Sequence, residues 1–299
     1  MISIVTPTYN RAYSLPRLYK SLLKNKKTHS DFEWVIIDDG STDNTKELID
    51  KWIDEGKVII RYYKQKNSGK MAALNFVMKN TKGNIIVELD SDDYLKDKAL
   101  KIIANSFEEI ENDPKLYGVL FRKEFNNKAI DEKNVFPFDR EVSKMFDLYM
   151  KKGFDKDAAV VFKGDIRRKF KHKLERNEKF ITEARMYNEM DKLYDGLLCI
   201  NEPIMVCEYL QDGYSKNINN VFKNNPYGYR CYFKESLEMD LTNLPFKKRL
   251  YFVKHYILFS YLTSTTKYKC IKEVYGFFNK ILTTILVIPG YYKSKKRFF

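Results

Sequence analysis

Histidine and cysteine are scarce in this chain, which has three histidines and four cysteines among 299 residues. The cysteines form no C-x-x-C pair, and the histidines lie far apart in the sequence. A zinc site is therefore not expected. Cysteines dispersed in this way are typical of reduced residues in a cytosolic protein. They stand at positions Cys199, Cys207, Cys231 and Cys270.

Long hydrophobic runs are also missing. A helix that crosses a bilayer needs about 20 apolar residues, whereas the run Ile281–Ile288 contains eight and is bracketed by Lys280 and Pro289. The N-terminal Met-Ile-Ser-Ile-Val-Thr-Pro has no basic region and too short an apolar run for a signal peptide. We therefore expect no membrane-spanning segment and a cytoplasmic location.

Glycine-rich phosphate loops are absent as well. Neither G-x-G-x-x-G nor G-x-x-x-x-G-K-[ST] occurs, so neither a dinucleotide-binding fold nor a P-loop is indicated. The same absence bears on a third class of protein, the nucleotidyltransferases that make sugar nucleotides. This class is kept as an alternative function, but it would need a Gly-rich basic loop near the N-terminus. The segment Thr6–Arg11 contains no glycine.

The net charge of +14 is unevenly distributed. Twelve basic and two acidic residues lie between Asp240 and Phe299, a net charge of +10, which leaves +4 for the first 239 residues. A basic chain suggests an anionic partner such as nucleic acid or a membrane surface. A nucleic-acid-binding protein is the weaker alternative, because its basic and aromatic residues would be interleaved on one face. We expect no nucleic-acid partner.

Asn84–Tyr94 contains an apolar run that stops in three carboxylates. Ile85–Leu89 has the composition of a strand buried on both faces. Asp90 and Asp92 follow, and side chains two apart in an extended segment point the same way. Oxygen ligands favour Mg²⁺ or Mn²⁺ over zinc. Alternatively, Asp92 or Asp93 only caps a following helix; an EF-hand loop would need other residues at its glycine and glutamate positions.

Strands and helices alternate through the first part of the chain. Predicted strands cover residues 2–7, 32–37, 58–63 and 85–89, with amphipathic helices between them, which indicates a mostly parallel α/β sheet. Beyond them we predict strands at 116–122 and 158–162, a helix at 141–150 and an edge strand at 204–206. The predicted domains are an N-terminal domain, 1–218, divided at residue 95 into two halves, and a helical extension, 219–299.

Four motifs at the strand ends together resemble a known family. They are Val5-Thr6-Pro7-Thr8-Tyr9-Asn10-Arg11, Ile37-Asp38-Asp39-Gly40-Ser41-Thr42-Asp43, Asn67-Ser68-Gly69-Lys70 with Ala73-Leu74-Asn75, and Leu89-Asp90-Ser91-Asp92-Asp93. Over residues 1–215 the chain resembles the family-2 glycosyltransferases, which have the GT-A fold. The resemblance implies an inverting hexosyl- or N-acetylhexosaminyltransferase that uses a UDP-sugar and Mn²⁺ or Mg²⁺ to build a bacterial surface glycan such as capsule or lipopolysaccharide. It also implies that residues 1–218 are the catalytic domain, with 1–95 as its nucleotide-sugar-binding half and 96–218 as its acceptor half.

The same resemblance implies roles for individual residues. The Asp39 carboxylate accepts a hydrogen bond from the uracil ring N–H, Lys70 meets a phosphate, and Asp92 coordinates the metal with Asp90 beside it. The full set of implied donor-binding residues is Pro7, Tyr9, Asn10, Asp39, Asn67, Lys70, Asp90 and Asp92. Relatives often have arginine where this chain has Leu74, and a histidine ligand in the loop where it has Gln211 and Asp212.

The implied catalytic base is Glu183, predicted in the first turn of a helix whose dipole favours an ionised carboxylate. Relatives usually show Glu-Asp at this point, whereas this chain has Thr182-Glu183. Asp155, Asp157 and Glu178 are therefore rival candidates for the base.

The C-terminal extension combines basic residues with short apolar, aromatic runs at 250–262, 276–278 and 281–288. These features predict helices that lie in the interface of an anionic membrane, on its inner face, where a glycan or lipid-linked acceptor would be presented. The alternative is that these helices pack on the catalytic domain or form a homodimer contact.

Overall fold

The computed structural model describes residues 1–125, 133–207 and 218–298, with the side chains of the last helix described as far as Ser294. The chain forms two compact units. The first consists of Met1–Lys144, Phe154–Lys171 and Leu193–Gln211, and the second of Met145–Gly153, His172–Lys192 and Asp212–Phe299. The second unit therefore contains residues 219–299 of the predicted extension together with two segments from earlier in the chain.

The first unit is built on a nine-stranded sheet with the order β3-β2-β1-β4-β8-β6-β9-β5, in which β7 also pairs with β9. β1 is parallel to β2 and β4, and β2 to β3, while β8 runs antiparallel to β4 and β6. The predicted mostly parallel α/β sheet is confirmed. The strands are β1 Ile2–Thr8, β2 Phe32–Asp38, β3 Ile60–Lys64, β4 Ile85–Glu88, β5 Tyr94–Leu95, β6 Leu116–Phe125, β7 Glu141–Ser143, β8 Ala158–Lys163 and β9 Gly196–Cys207.

Helices cover this sheet because their apolar stripes are buried against it. In the first helix the stripe consists of Leu15, Leu18 and Leu22, each fully buried. Nearby, the ring of Tyr19 stacks on Trp52 with centroids 4.3 Å apart. The helices of the first unit are α1 Leu15–Lys26, α2 Thr45–Glu55, α3 Lys70–Met78, α4 Ala99–Glu108 and the short α6 Gly164–Arg167.

Parallel pairing brings the ends of β1, β2 and β4 to one edge of the sheet, where open α/β sheets bind ligands. The chain turns sharply there. Gly40 has φ +88°, and a Cβ at this position would lie 3.0 Å from the backbone nitrogen of Asn67. Only glycine fits this turn without strain, so the loop after β2 can approach the loop before α3.

The second unit is helical. Its core is aromatic, with the rings of Phe233 and Phe259 stacked 5.5 Å apart and Phe252 and Tyr256 fully buried. Its helices are α5 Met145–Met150, α7 Ala184–Leu193, α8 Ile218–Asn224, α9 Pro226–Ser236, α10 Phe246–Leu262, α11 Lys267–Lys272 and α12 Phe277–Phe298. Among the described helices, none has the length and apolar character needed to cross a membrane.

Two sequence predictions and one of the alternatives were wrong because distant strands decide the structure. Residues 141–150 are not one helix, since Glu141–Ser143 pairs with residues 197–199 of β9 and only Met145–Met150 is helical. Residues 204–206 are not an edge strand, because they lie inside β9, paired with both β6 and β5. Asp92 and Asp93 do not cap a helix, because β5 follows them and α4 begins only at Ala99.

The predicted membrane contact of residues 250–262 was also wrong. Most of this run lies in α10, and Phe252, Val253, Ile257 and Phe259 are at most 1% exposed. They form the core of the second unit with residues of α9 and α12. The helix is apolar on several sides because it packs against two neighbours, as a buried helix does.

Candidate active site

Asp90 and Lys70 form an ion pair at the edge of the sheet. The Lys70 ammonium lies 2.8 Å from Asp90 Oδ1 and 3.0 Å from Oδ2. Lys70 is the first residue of α3, whereas Asp90 follows β4 in the turn closed by the Asp93 N–H to Asp90 carbonyl hydrogen bond at 3.0 Å. The structure therefore brings together two predicted donor-binding residues that are 20 positions apart in the sequence.

The three carboxylates after β4 differ in their electrostatic surroundings. Burial would raise the pKa of Asp90, but the charges of Lys70 and Lys123 lower it overall. Asp93 is paired with Lys123 at 3.0 Å. Burial, followed by the negative charges of Asp90 and Asp93, raises the pKa of Asp92 to about 6, and Arg11 offsets this only in part. Negative charge is therefore in excess at Asp92.

This arrangement fits a divalent cation held by protein and substrate together. In the parts of the chain that the structure describes, no group of three or more His, Cys, Asp or Glu side chains is arranged to hold a metal. Magnesium is commonly bound by one or two carboxylates, with substrate phosphates and water completing its shell. The excess charge at Asp92 makes it the better candidate ligand, since Asp90 already has an ammonium partner. Gln211 and Asp212, the predicted substitutes for a histidine ligand, lie outside the described residues.

Lys123 was not found from the sequence. It lies on β6, and its pKa is raised by the charge of Asp93 against the lowering effect of burial. Lys123 stands between Arg122 and Glu124, just after the predicted strand at 116–122, so no pattern in the sequence distinguishes it. Because Lys123 pairs with Asp93 and Lys70 with Asp90, Asp92 is the carboxylate whose negative charge is least balanced by nearby cations.

Asp39 holds the loop that leads into α3. Its carboxylate accepts hydrogen bonds from the backbone N–H groups of Ser68 and Gly69 and from the Gln65 amide, each at 2.8 Å. The side chain is buried, with 4% exposed. A carboxylate offers about four acceptor positions, so one position remains for the hydrogen bond to uracil that the resemblance implies. That role stays a prediction.

Asn10 joins the loop after β1 to the loop after β2. Its side-chain oxygen accepts from Thr42 N–H at 2.8 Å, and its own N–H donates to Ser41 Oγ at 2.9 Å. Asn10 has φ +53°, a conformation that asparagine tolerates better than most residues. The first two sequence motifs thus form one connected structure.

The remaining predicted donor-binding residues lie at the same edge but differ in exposure. Pro7 is buried within β1, while Tyr9, just beyond the strand, is 46% exposed. Asn67 lies in the turn between β3 and α3 and is half-buried. Tyr9 is therefore the aromatic ring of this set that a nucleotide base can reach.

The backbone of the Asp90–Asp93 turn is held by α1. Ser14 Oγ donates to the Ser91 carbonyl at 2.8 Å, and the Arg17 guanidinium donates to the Asp92 carbonyl at 2.6 Å. The same guanidinium lies 4.7 Å from the ring centre of Tyr94. These contacts hold the backbone of the turn that carries the Asp92 side chain, and no sequence motif indicated them.

Glu183 belongs to the second unit and directly precedes α7. The prediction that it lies in the first helical turn was wrong by one position, because the helix begins at Ala184 and the Glu183 carbonyl accepts from Met186 N–H at 2.9 Å. Its side chain is half-buried. Burial and then the negative charge of Glu183 raise the pKa of Tyr229. The assignment as catalytic base stays a prediction.

The rival candidates for the base have other contacts. Glu178 accepts from the N–H groups of Tyr227 and Gly228 at 2.6 and 2.7 Å, so it stabilises the start of α9. Asp155 is 74% exposed and pairs with Lys156. The charge of Asp157 contributes to the raised pKa of Lys123. Glu178 thus has a sufficient structural role, which favours Glu183 over it.

Comparison with curated proteins finds similarity over part of the chain. An uncharacterised glycosyltransferase of Mycoplasma pneumoniae is 34% identical over 114 residues, which is 38% of this chain and 38% of that protein. The poly(ribitol-phosphate) beta-N-acetylglucosaminyltransferase TarS of Staphylococcus aureus is 30% identical over 111 residues, 37% of this chain and 19% of that protein. The matched stretch therefore spans well under half the length of these relatives.

Solved structures share the fold over nearly the whole chain. A crystal structure of an S. aureus TarS fragment in complex with UDP-GlcNAc matches with a TM-score of 0.62 at 14% identity, covering 99% of this chain and 90% of that one. A mannosyltransferase from Pyrobaculum calidifontis in complex with GDP-Man and Mn²⁺ matches with a TM-score of 0.56 at 14% identity, covering 99% and 82%. At these identities the likeness establishes the fold, which is the GT-A fold. Residues 3–169 match the family described as Glycosyl transferase family 2, and this chain belongs to that family.

Proposed function

We propose that this protein is an inverting glycosyltransferase that moves a sugar from a UDP-sugar to an acceptor hydroxyl with the help of Mn²⁺ or Mg²⁺. The observation that carries the proposal is the group of three carboxylates at the carboxyl edge of the sheet, in which Lys70 pairs with Asp90 and Lys123 with Asp93, so that negative charge is in excess at Asp92. A diphosphate-bound cation would relieve the repulsion among the three carboxylates. Lys70 would add a second positive charge beside the phosphates.

The chemistry requires charge stabilisation and a base. The bond between the sugar C1 and the diphosphate oxygen breaks, and that oxygen keeps the electron pair. A bound divalent cation supplies positive charge that stabilises the developing anion. The acceptor oxygen forms the new bond to C1 from the opposite face, and its proton passes to the Glu183 carboxylate. A single displacement of this kind inverts the configuration at C1.

We propose a preference for uridine because Asp39 lies beside the loops that carry Tyr9 and Asn67. The remaining acceptor position of its carboxylate suits the ring N–H of uracil. The complex of TarS with UDP-GlcNAc supports this choice, whereas the complex of the Pyrobaculum protein with GDP-Man makes guanosine the alternative to be tested.

We place the acceptor among surface glycans or their lipid-linked precursors at the inner face of the cell membrane. The protein would associate with that surface peripherally, with capsule or lipopolysaccharide assembly as the pathway class. A homodimer is compatible with this function.

A thermal-shift screen of nucleotide sugars, with and without Mn²⁺, tests the proposal. A ligand present at about 100 times its dissociation constant adds roughly 2.7 kcal/mol to the free energy of unfolding. We expect UDP-sugars to raise the melting temperature in the presence of Mn²⁺ and GDP-sugars not to do so. Stabilisation by GDP-sugars alone would refute the uridine assignment, and equal stabilisation without Mn²⁺ would refute the role of the metal.

A further inference from the structure

The last helix, α12, exposes a stripe of large apolar side chains. The members of this outer stripe follow one another at intervals of four, four, three and four residues, which places them on one face of a helix. Four of them are more than half exposed. The stripe consists of Phe277 (83% exposed), Ile281 (40%), Ile285 (64%), Ile288 (65%) and Tyr292 (61%).

The opposite face of α12 packs on the second unit. Val287 belongs to the core of that unit, and Leu282, Leu286 and Tyr291 pack against it. Between them lies a row of mostly small or polar residues. This inner stripe has the same spacing of four, four, three and four residues as the outer stripe. It begins at Asn279, two positions after Phe277, which places it about 200° around the helix. The Asn279 amide donates to the Leu237 carbonyl at 3.3 Å. A Cβ at Gly290 would lie 2.6 Å from Ile257 Cγ2, so α12 packs closely on α10. The inner stripe consists of Asn279, Thr283, Val287, Gly290 and Ser294.

α12 therefore carries large apolar side chains on its exposed face as well as on the face that packs on the second unit. An ordinary surface helix instead presents a polar face to water. Scattered exposed apolar residues are normal, but a continuous stripe marks an interaction surface. The inner stripe and the neighbouring Leu282 and Leu286 already pack α12 on the second unit. The outer stripe is thus available for a second, apolar environment.

The charged residues beside the outer stripe indicate what kind of apolar partner it contacts. Lys280 and Lys293 are exposed and lie at its two borders, between the outer and inner faces. The helix contains five basic residues and no acidic one. A second copy of the chain would bring like charges together across a symmetric contact. An anionic lipid surface instead offers hydrocarbon to the stripe and phosphate groups to the lysines.

We propose that α12 lies in the interface of an anionic membrane, with its outer stripe inserted among the lipids and its lysines at the headgroups. This inference rests on the peripheral membrane association proposed above and names the surface responsible for it. In this proposal α12 takes the place of residues 250–262 as the membrane-contacting segment, because most apolar side chains of that run are buried. Tyr268 and Tyr275, 74% and 67% exposed, are further aromatic residues close to α12 in the sequence.

The test is co-sedimentation of the full chain with vesicles of phosphatidylcholine and phosphatidylglycerol, or of phosphatidylcholine alone. The test variant is Ile285→Glu. Its matched control is Ile59→Glu, because Ile59 in the first unit is 65% exposed and the substitution changes the charge equally. Both side chains are in solvent, so both variants should keep the parent circular dichroism spectrum and melting temperature.

We expect the parent to bind the anionic vesicles and to release them at high salt. Ile285→Glu should weaken binding by about tenfold or more, which corresponds to the loss of one buried apolar side chain, and Ile59→Glu should bind like the parent. Equal binding by both variants would overturn the proposal. The proposal would also be overturned if the parent did not bind vesicles but formed a dimer in solution, and if Ile285→Glu dissociated that dimer. Because no sugar donor is present, this result is independent of transferase activity.

Discussion

The strand ends of the first unit and the last helix of the second unit both depart from the usual rule of apolar inside and polar outside, in opposite directions. At the strand ends, three carboxylates crowd into a partly buried turn and leave Asp92 with a pKa of about 6. In α12, large apolar side chains face solvent while Asn279 and Thr283 are buried. Each departure leaves one kind of interaction unsatisfied within the chain. The first calls for a cation and the second for an apolar surface.

The comparison teaches that burial alone does not identify a functional region. The apolar sheet core and the aromatic core of the second unit follow the rule and explain stability. Sites of function are expected where local rules are broken without compensation inside the chain. The following predictions alter one side of the comparison at a time.

The largest effect is expected for Asp92→Asn. The amide keeps the shape of the carboxylate but removes the charge proposed to hold the cation, so transfer should fall by at least about 10³-fold. EDTA should have the same effect on the parent. The matched control is Asp97→Asn, since Asp97 is 73% exposed and contacts Lys24. Comparable losses in both variants in a transfer assay would remove Asp92 from the mechanism.

Glu183→Gln should lower turnover by about 10²-fold or more, as expected when a general base is lost. Binding of UDP should be unchanged, because Glu183 is not assigned to the donor. Single-turnover kinetics and UDP titration separate the two. Glu178→Gln serves as the control, and it should lower the melting temperature through its contacts at the start of α9 with little effect on turnover. If turnover were unchanged in Glu183→Gln, Glu183 would not be the catalytic base, and Asp157 or Asp155 would be the remaining candidates.

Asp39→Asn and Asp38→Asn distinguish donor binding from support of the fold. Both carboxylates are buried and hydrogen-bonded, Asp38 to Tyr62 at 2.6 Å and to Ser41 N–H at 2.7 Å. Each change should lower the free energy of unfolding by about 1–3 kcal/mol. Only Asp39→Asn should also weaken UDP binding, by about tenfold, as measured by calorimetry. Equal weakening in both variants would mean that Asp39 acts only through the loop before α3.

The smallest effect concerns stability and pH. The pKa of Asp92 in the folded protein, about 6, exceeds its ordinary value near 3.9. Between these values the folded chain binds more protons than the unfolded chain, so the free energy of unfolding falls as pH rises through this window. At pH 7 without metal, Asp92→Asn should be more stable than the parent by on the order of 1–2 kcal/mol.

Denaturant unfolding from pH 4 to 8 measures this difference. It should vanish near pH 4, and Mn²⁺ should stabilise the parent but not the variant. A parent that is more stable than Asp92→Asn at pH 7 without metal would show that Asp92 is compensated within the fold.

The sequence was informative where local pattern and chemistry agree. The apolar run before Asp90 and the alternation of strands and helices predicted the parallel part of the sheet, and four strand-end motifs predicted which loops meet. The strand at 158–162 was predicted, but its antiparallel pairing with β4 and β6 and the split of residues 141–150 depend on contacts between distant segments, which no local pattern encodes. Lys123 and Arg17 were missed for the same reason, since each reaches the site from an element outside the motifs. The exposed apolar stripe of α12 became visible only when the partners of its inner face were known.

The most direct test of the account is calorimetric titration of UDP into the parent protein and Asp92→Asn, each with and without Mn²⁺. The account predicts that the parent binds UDP tightly only when Mn²⁺ is present and that Asp92→Asn shows the same weak binding in both conditions. Binding that is equally tight without Mn²⁺, or unchanged in Asp92→Asn, would contradict the proposal that the excess negative charge at this strand end is completed by a cation.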